Sequence, residues 1–273
     1  MAELSAFAPQ LRNPLAETLA AGRLGLALLV QKVHSVDIAV AAATCGFDAI
    51  NIDLEHSVIP ESAAAQICVT ALHAGITPLV RVPGHDGYCA SRILDAGACG
   101  IVVPHVNTAE EARAIVQACR FAPLGARSLA GNLPHLGYRN WPAQEVRRVI
   151  NAATTVIVML ETPEAIANAD AIAAVPGVDI LHIGSTDLCE SLDIAGQFES
   201  PALERCFIQV ISACRKYEKF AGAGGLAGHS AAMQKMVHLG VRFVTAGIEW
   251  DLMVNAAQQR ATSLREMQTY RSS

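Results

Sequence analysis

Charge is scarce in this chain. Only 16% of its 273 residues are Asp, Glu, Lys or Arg, and the formal net charge is −5. That leaves no basic footprint for nucleic acid and no polybasic surface for a membrane. Aromatic residues are scarcer still at 5%, so a core has to be built from Ala, Val, Ile and Leu. A hydrophobic content of 52% would suit a membrane protein, yet no apolar stretch reaches the roughly 18 uninterrupted residues that a spanning helix needs. The excess reads instead as buried parallel strands, plus apolar surface covered by other subunits. There is no CxxC pair: Cys45, Cys68, Cys89, Cys99, Cys119, Cys189, Cys206 and Cys214 are scattered. The opening MAELSAFAPQ also lacks the basic-then-apolar pattern of a signal peptide. Dispersed thiols without such a signal point to a reducing cytoplasm rather than to a disulfide framework or a zinc site. Lysine is rare too, limited to Lys32, Lys216, Lys219 and Lys235.

What the chain has is alternation. Short apolar runs occupy 24–30, 49–53, 78–82, 100–104, 155–161, 179–184, 220–223 and 243–246. Each is continuous rather than alternating, which is how a strand buried on both faces reads. Helix-compatible segments lie between them, among them 59–74, 87–96, 109–119, 163–175, 202–217 and 230–239. Thr108 and Thr162-Pro163 supply capping signals, and Gly75, Gly97 and Gly240 end helices before the next run. Strand–helix alternation repeated through the chain gives an α/β fold, a (β/α)8 TIM barrel spanning 1–273 as one domain. A doubly wound open sheet is the second choice. Residues 121–141 break the rhythm. They read as a long structureless loop, usually a functional feature, and are expected to decide the substrate together with Met159 and residues of a neighbouring protomer. A last helix over 251–269 looks amphipathic and is expected to pack on a neighbouring subunit.

In such barrels the active site lies at the C-terminal ends of the strands, and the ionisable groups of this chain gather there. Asp53, Glu55 and His56 follow the second run, Arg81 ends the third, Pro104-His105 follows the fourth, Glu161 ends the fifth, and Gly184-Ser185-Thr186-Asp187 follows the sixth. The strand interiors are otherwise almost wholly apolar. That placement favours an enzyme. Glu161 and Asp187, on adjacent strand ends, suit a hard divalent cation that also takes substrate oxygens; equally, each is placed to cap the helix after it. His56 is placed as a general base near neutral pH, although any one of nine histidines is more often a surface or satisfied core residue. Arg81 at the end of PLVRV should face an anion. The run AGAGGLAG at 221–228 invites a phosphate-binding reading, but a glycine-rich loop equally provides a tight turn.

The segments FDAINIDLEHS, PLVRV, ILDAG, VVPHVNTAEEAR, FAPLGARS, VMLETPEAI, GVDILHIGSTDLCESL and GVRFVTAGIEWDLM together resemble the HpcH/HpaI aldolases, metal-dependent class II pyruvate aldolases, in order and from about Gly22 to Leu252. The resemblance implies a (β/α)8 barrel whose last helix is exchanged between protomers, with homohexamers built as trimers of dimers. It implies that Glu161 and Asp187 hold Mg2+ or Mn2+, with Co2+ or Zn2+ as alternatives. It makes His56 and Arg81 catalytic, Asp95 of the L-D-x-G motif a support for the histidine across a subunit contact, and Gly184, Ser185 and Thr186 the seat of the substrate carboxylate. Asp53 and Glu55 then orient His56 and the water on the metal from behind. The chain departs from the family at Ser185, where proline is frequent, and at Met159, where many relatives carry Gln.

The implied reaction is reversible cleavage of a 4-hydroxy-2-oxo acid to pyruvate, or a related 2-oxo acid, and an aldehyde. Its partners are small molecules, not nucleic acid or membrane. Three rivals stand beside it. A Schiff-base aldolase needs a desolvated lysine inside the barrel, and none of the four lysines is placed there. A CoA-thioester lyase of the citrate or malyl-CoA type is expected to carry more chain after the eighth strand. A catalytically silent barrel subunit would have no use for His56, Arg81, Glu161 and Asp187 together.

Overall fold

The computed structural model describes residues 9–269; the first eight residues of the opening segment read for a signal peptide lie outside them. Eight strands form a closed, all-parallel barrel in sequence order. They are β1 (Gly25–Val30), β2 (Ala49–Asp53), β3 (Thr77–Arg81), β4 (Gly100–Val103), β5 (Thr155–Leu160), β6 (Ile180–Gly184), β7 (Phe220–Gly224) and β8 (Phe243–Ile248). β8 pairs with β1 to close the ring. β5, TVIVML, is buried at every residue, as a strand covered by helices outside and by the barrel core inside must be.

Scarce aromatics set the character of that core. Inside the barrel Ala27, Ala49, Leu79, Val102, Ile157, Met159 and Ile180 pack with the buried ring of Phe243, and Phe220 packs against them. Leu15 and Leu19 of α1 (Pro14–Ala20) join them and plug the N-terminal end. The outer core lies between the strands and α2 (Asp37–Thr44), α3 (Glu61–Ala74), α4 (Gly87–Asp95), α5 (Ala109–Cys119), α7 (Pro163–Ala167), α8 (Ala169–Ala173), α10 (Pro201–Lys216) and α11 (Ser230–Leu239). Thr108 caps α5 in a capping box with Glu111, and Thr162 caps α7, as their positions before the helices predict. The segment 163–175 is two short helices divided at Asn168 rather than one. The last helix, α12 (Glu249–Thr269), starts two residues earlier than expected and exposes Trp250, Leu252, Met253, Leu264 and Met267.

Residues 121–141 correct the sequence reading. Their glycines and prolines predict an open loop at the pocket; the backbone is irregular apart from one 3-10 turn, but within the protomer it is neither open nor at the pocket. Instead Phe121, Leu133 and Leu136 bury themselves against Val146, Val149 and Ile150 of α6 (Ala143–Ala153). A 3-10 turn spans Pro134–Leu136, and His135 Nε2 lies 2.9 Å from the Ala98 carbonyl, just ahead of β4. The segment therefore covers the N-terminal rim, opposite the mouth, and none of it lines the mouth cavity. Within one protomer, apolar burial holds it there. All eight cysteines are free; six are buried, Cys206 is half-buried and Cys45 is exposed. Among the described residues no helix is long and apolar enough to cross a membrane.

Candidate active site

A cavity of about 550 Å³ opens at the C-terminal ends of the strands, and His56, Arg81, Glu161, Asp187 and the segment 184–186 all line it. Its foundation is the β2–β3 pair. Asp53 and Arg81 are register partners at the ends of these strands, which sets their side chains next to each other. Arg81 donates through Nε to Asp53 Oδ1 at 2.8 Å and through Nη2 to Oδ2 at 2.6 Å. This bidentate geometry is the strong form of the ion pair. Gln31 Nε2 donates to the same carboxylate at 2.7 Å, and the amides of Glu55 and His56 donate to Oδ1. Burial opposes the charge on Asp53, yet the Arg81 guanidinium holds its carboxyl below the usual value. Burial likewise opposes the charge on Arg81, and Asp53, then Glu55 and Glu161, hold it above its ordinary value.

Asp53 thus orients the backbone that carries His56 rather than its ring. The ring's neighbour is Glu55, whose Oε2 lies 3.6 Å from His56 Nε2 and 3.0 Å from Arg81 Nη1. Glu161, 2% exposed, follows the last residue of β5. Burial, and then the charges of Asp187 and Glu55, push its carboxyl upward against the pull of His105. Asp187 lies within the first turn of α9 (Ser185–Ser191), not ahead of a turn as the sequence suggests. Among the described residues no three of His, Cys, Asp and Glu are grouped as a closed metal cage.

The donor set nonetheless suits a divalent cation held at an open site. Two carboxylates share one cavity wall, and their mutual repulsion is a cost that a cation removes. Gly184 keeps the space clear: a Cβ there would stand 2.5 Å from Glu161 Oε1. Asp95 is not part of this cavity. Within one protomer it ends α4 at the opposite rim and pairs with Arg127 at 2.6 Å.

Three polar residues have no role in the sequence-based expectations. His105 has a left-handed backbone (φ 55°) that turns its amide and ring back onto Glu161 Oε2, at 2.8 and 3.0 Å, while Nε2 sits 3.3 Å from Glu55 Oε1. Its place after a strand was visible; its bridging of two carboxylates was not. Gln31 follows the last residue of β1, and the Glu249 carboxylate accepts the successive amides of Gln31, Lys32 and Val33. His182 sits in the apolar run ILHIG of β6 and lines the cavity floor.

Comparison with known proteins gives the family and the fold. The family model described as HpcH/HpaI aldolase/citrate lyase matches residues 28–256. A 4-hydroxy-4-methyl-2-oxoglutarate aldolase of Hapsidospora irregularis is 39% identical over 94% of this chain and 96% of its own length. One of the same description from Chaetomium globosum is 40% identical over 93% and 96%. The crystal structure of an HpcH/HpaI aldolase from Desulfitobacterium hafniense superposes with a TM-score of 0.85 at 28% identity, covering 92% of this chain and 96% of that one.

Proposed function

The chain belongs to the HpcH/HpaI aldolase/citrate lyase family, and we infer that it is a metal-dependent aldolase cleaving a 4-hydroxy-2-oxo acid to pyruvate and a carbonyl product. The observation that carries this reading is the convergence of Glu161, Asp187, Arg81 and His56 on one cavity at the strand ends of a parallel barrel. Glu161 and Asp187 would hold the cation. When bound, a divalent cation supplies Lewis-acid polarisation of the substrate's keto group.

The residues of the chain do the rest. Arg81, fixed by Asp53 and Glu55, presents a positive charge to the oxygen that becomes an enolate. His56 stands at the mouth with its ring half exposed and takes the proton of the 4-hydroxyl. The C3–C4 bonding pair then moves into the enolate as C4 becomes a carbonyl, and the enolate takes up a proton at C3 to leave pyruvate. The amides of Ser185 and Thr186 face the substrate carboxylate. Asp95 stands at the rim opposite its own site, where it reaches a histidine only across a contact between subunits. The exposed apolar side chains of α12 fit a helix exchanged between protomers of a cytoplasmic hexamer.

4-Hydroxy-4-methyl-2-oxoglutarate is the first substrate to try, because relatives at 39% and 40% identity carry that name and its cleavage gives two molecules of pyruvate. A retro-aldol screen over 4-hydroxy-2-oxo acids, with pyruvate detection under Mg2+, Mn2+, Co2+ and Zn2+, tests the proposal. Cleavage that is abolished by chelation and restored by metal supports it. Activity that survives thorough chelation, or borohydride trapping of pyruvate on a lysine, contradicts it.

A further inference from the structure

The cavity floor carries a polar group that the reaction above leaves unused. His182 of β6 is 3% exposed, yet its side chain lines the cavity. Its ring lies against β7, where the chain has glycine at both facing positions. A Cβ at position 222 would stand 2.5 Å from Nδ1, and one at position 224 would stand 2.7 Å from Nε2. Two glycines therefore make the slot this imidazole occupies.

The slot does not satisfy the ring. Nδ1 has no hydrogen-bond partner, and Nε2 has Thr245 Oγ1 at 3.5 Å, the outer limit of such a bond. Leaving a buried polar group unpaired costs free energy, which an apolar side chain on this floor would not incur. Burial, and then the charge of Arg81, push the imidazole down to about 3, so it is neutral at physiological pH and carries one N–H.

The same strand end leads from this ring to the start of α9. Gly225 follows Gly224, and a Cβ at 225 would stand 2.7 Å from Thr186 Oγ1, 3.1 Å from the Thr186 amide nitrogen and 3.5 Å from that of Ser185. Consecutive glycines thus clear one continuous space, bounded by His182 Nε2 on the floor and by the Thr186 hydroxyl and two amides on the wall. All of these groups can donate, and Arg81 is already engaged by Asp53 and Glu55.

We propose that His182 is a further substrate-binding residue, donating Nε2–H from inside the barrel to one oxygen of the carboxylate that the Ser185 and Thr186 amides face. The inference rests on the aldolase reading and extends it. The floor, and not only the α9 backbone, selects a carboxylate. Anchored between β6 and β7, the acid turns its keto group toward Glu161 and Arg81 and its C3 toward His56 at the mouth.

The test is exchange of the pyruvate C3 protons in D2O with Mg2+, followed by NMR, for the unaltered protein and for His182→Phe, His182→Asn and His182→Gln. Melting temperatures identify any variant that does not fold, and the other variants then decide. Removing a hydrogen bond to a charged group is expected to raise the pyruvate KM about 10- to 100-fold in His182→Phe and His182→Asn, with a much smaller change in kcat. His182→Gln, which keeps an N–H donor of similar reach, should recover part of the loss, and pyruvamide, lacking the charge, should show no such difference between variants. Folded His182→Phe or His182→Asn with the original pyruvate KM, or with a loss confined to kcat, overturns the inference and leaves the aldolase reading standing. No exchange by the unaltered protein overturns both.

Discussion

Asp53 organises the site at the residue scale. One fully buried carboxylate binds the Arg81 fork, the Gln31 amide and two backbone N–H groups. Asp53→Asn removes the bidentate partner of the buried Arg81 guanidinium and leaves Glu55 as its remaining close counter-charge, so the loss should reach at most the about 3–5 kcal/mol of a fully broken buried pair. A clear fall in melting temperature and at least a 100-fold fall in kcat/KM are expected from thermal melting and steady-state assays. Glu161 behaves in the opposite sense. Its carboxyl is raised above the ordinary 4.5, so on acidification it takes up a proton sooner than a free glutamate, and that proton competes with the cation. Mn2+ affinity measured by titration should therefore weaken as pH falls while still above 4.5, whereas Glu161→Gln should bind Mn2+ poorly at every pH. Glu161, Asp187, Arg81 and His56 were legible because they sit where runs end, a position sequence displays directly. His105 was not, because its role depends on a left-handed turn that brings it back onto Glu161. His182 was not, because a lone histidine in an apolar run reads as core, and only the facing glycines of β7 show the slot made for it.

At the scale of elements, the eight strands fall within one or two residues of the apolar runs, since burial on both faces writes itself as a mostly continuous run of apolar and small residues. Register then does what the sequence could not display. The pairing of Asp53 with Arg81 and the closeness of Gly184 to Glu161 come from strands meeting side by side. Gly184→Ala tests the second of these. The added methyl would stand 2.5 Å from Glu161 Oε1, so the carboxylate must move, while the barrel can stay closed. The expected result is a loss of Mn2+ binding and activity of at least tenfold with a melting temperature within a few degrees of the original. The misjudged element was 121–141, where glycines and prolines suggested a pocket loop. Phe121, Leu133 and Leu136 instead anchor it to α6, an amphipathic helix whose Val146, Val149, Ile150 and Ala153 repeat at helical spacing.

For the whole molecule, low charge and few aromatics produce an aliphatic barrel whose cavity at the strand ends gathers His56, Arg81, Glu161 and Asp187, and that gathering marks it as an enzyme. Two buried histidines make the fold sensitive to acid. His135 is pushed down to about 4 and His182 to about 3, in each case chiefly by burial. Both are neutral when folded, while the unfolded chain protonates them near 6.5. Their contribution to stability is therefore complete above 6.5 and declines as pH falls toward those depressed values, with the unfolded chain binding up to about two more protons. Melting temperature measured from pH 7 to pH 4.5 should fall, and less steeply in His182→Phe. The central claim is that Glu161 and Asp187 hold the cation that drives carbon–carbon cleavage. Pyruvate release from 4-hydroxy-4-methyl-2-oxoglutarate, measured before chelation, after it and after return of Mg2+ or Mn2+, with Glu161→Gln and Asp187→Asn alongside, tests it most directly. The account predicts release that disappears with the metal, returns with it and is lost in both variants. Undiminished release after chelation, or in either variant, would contradict it.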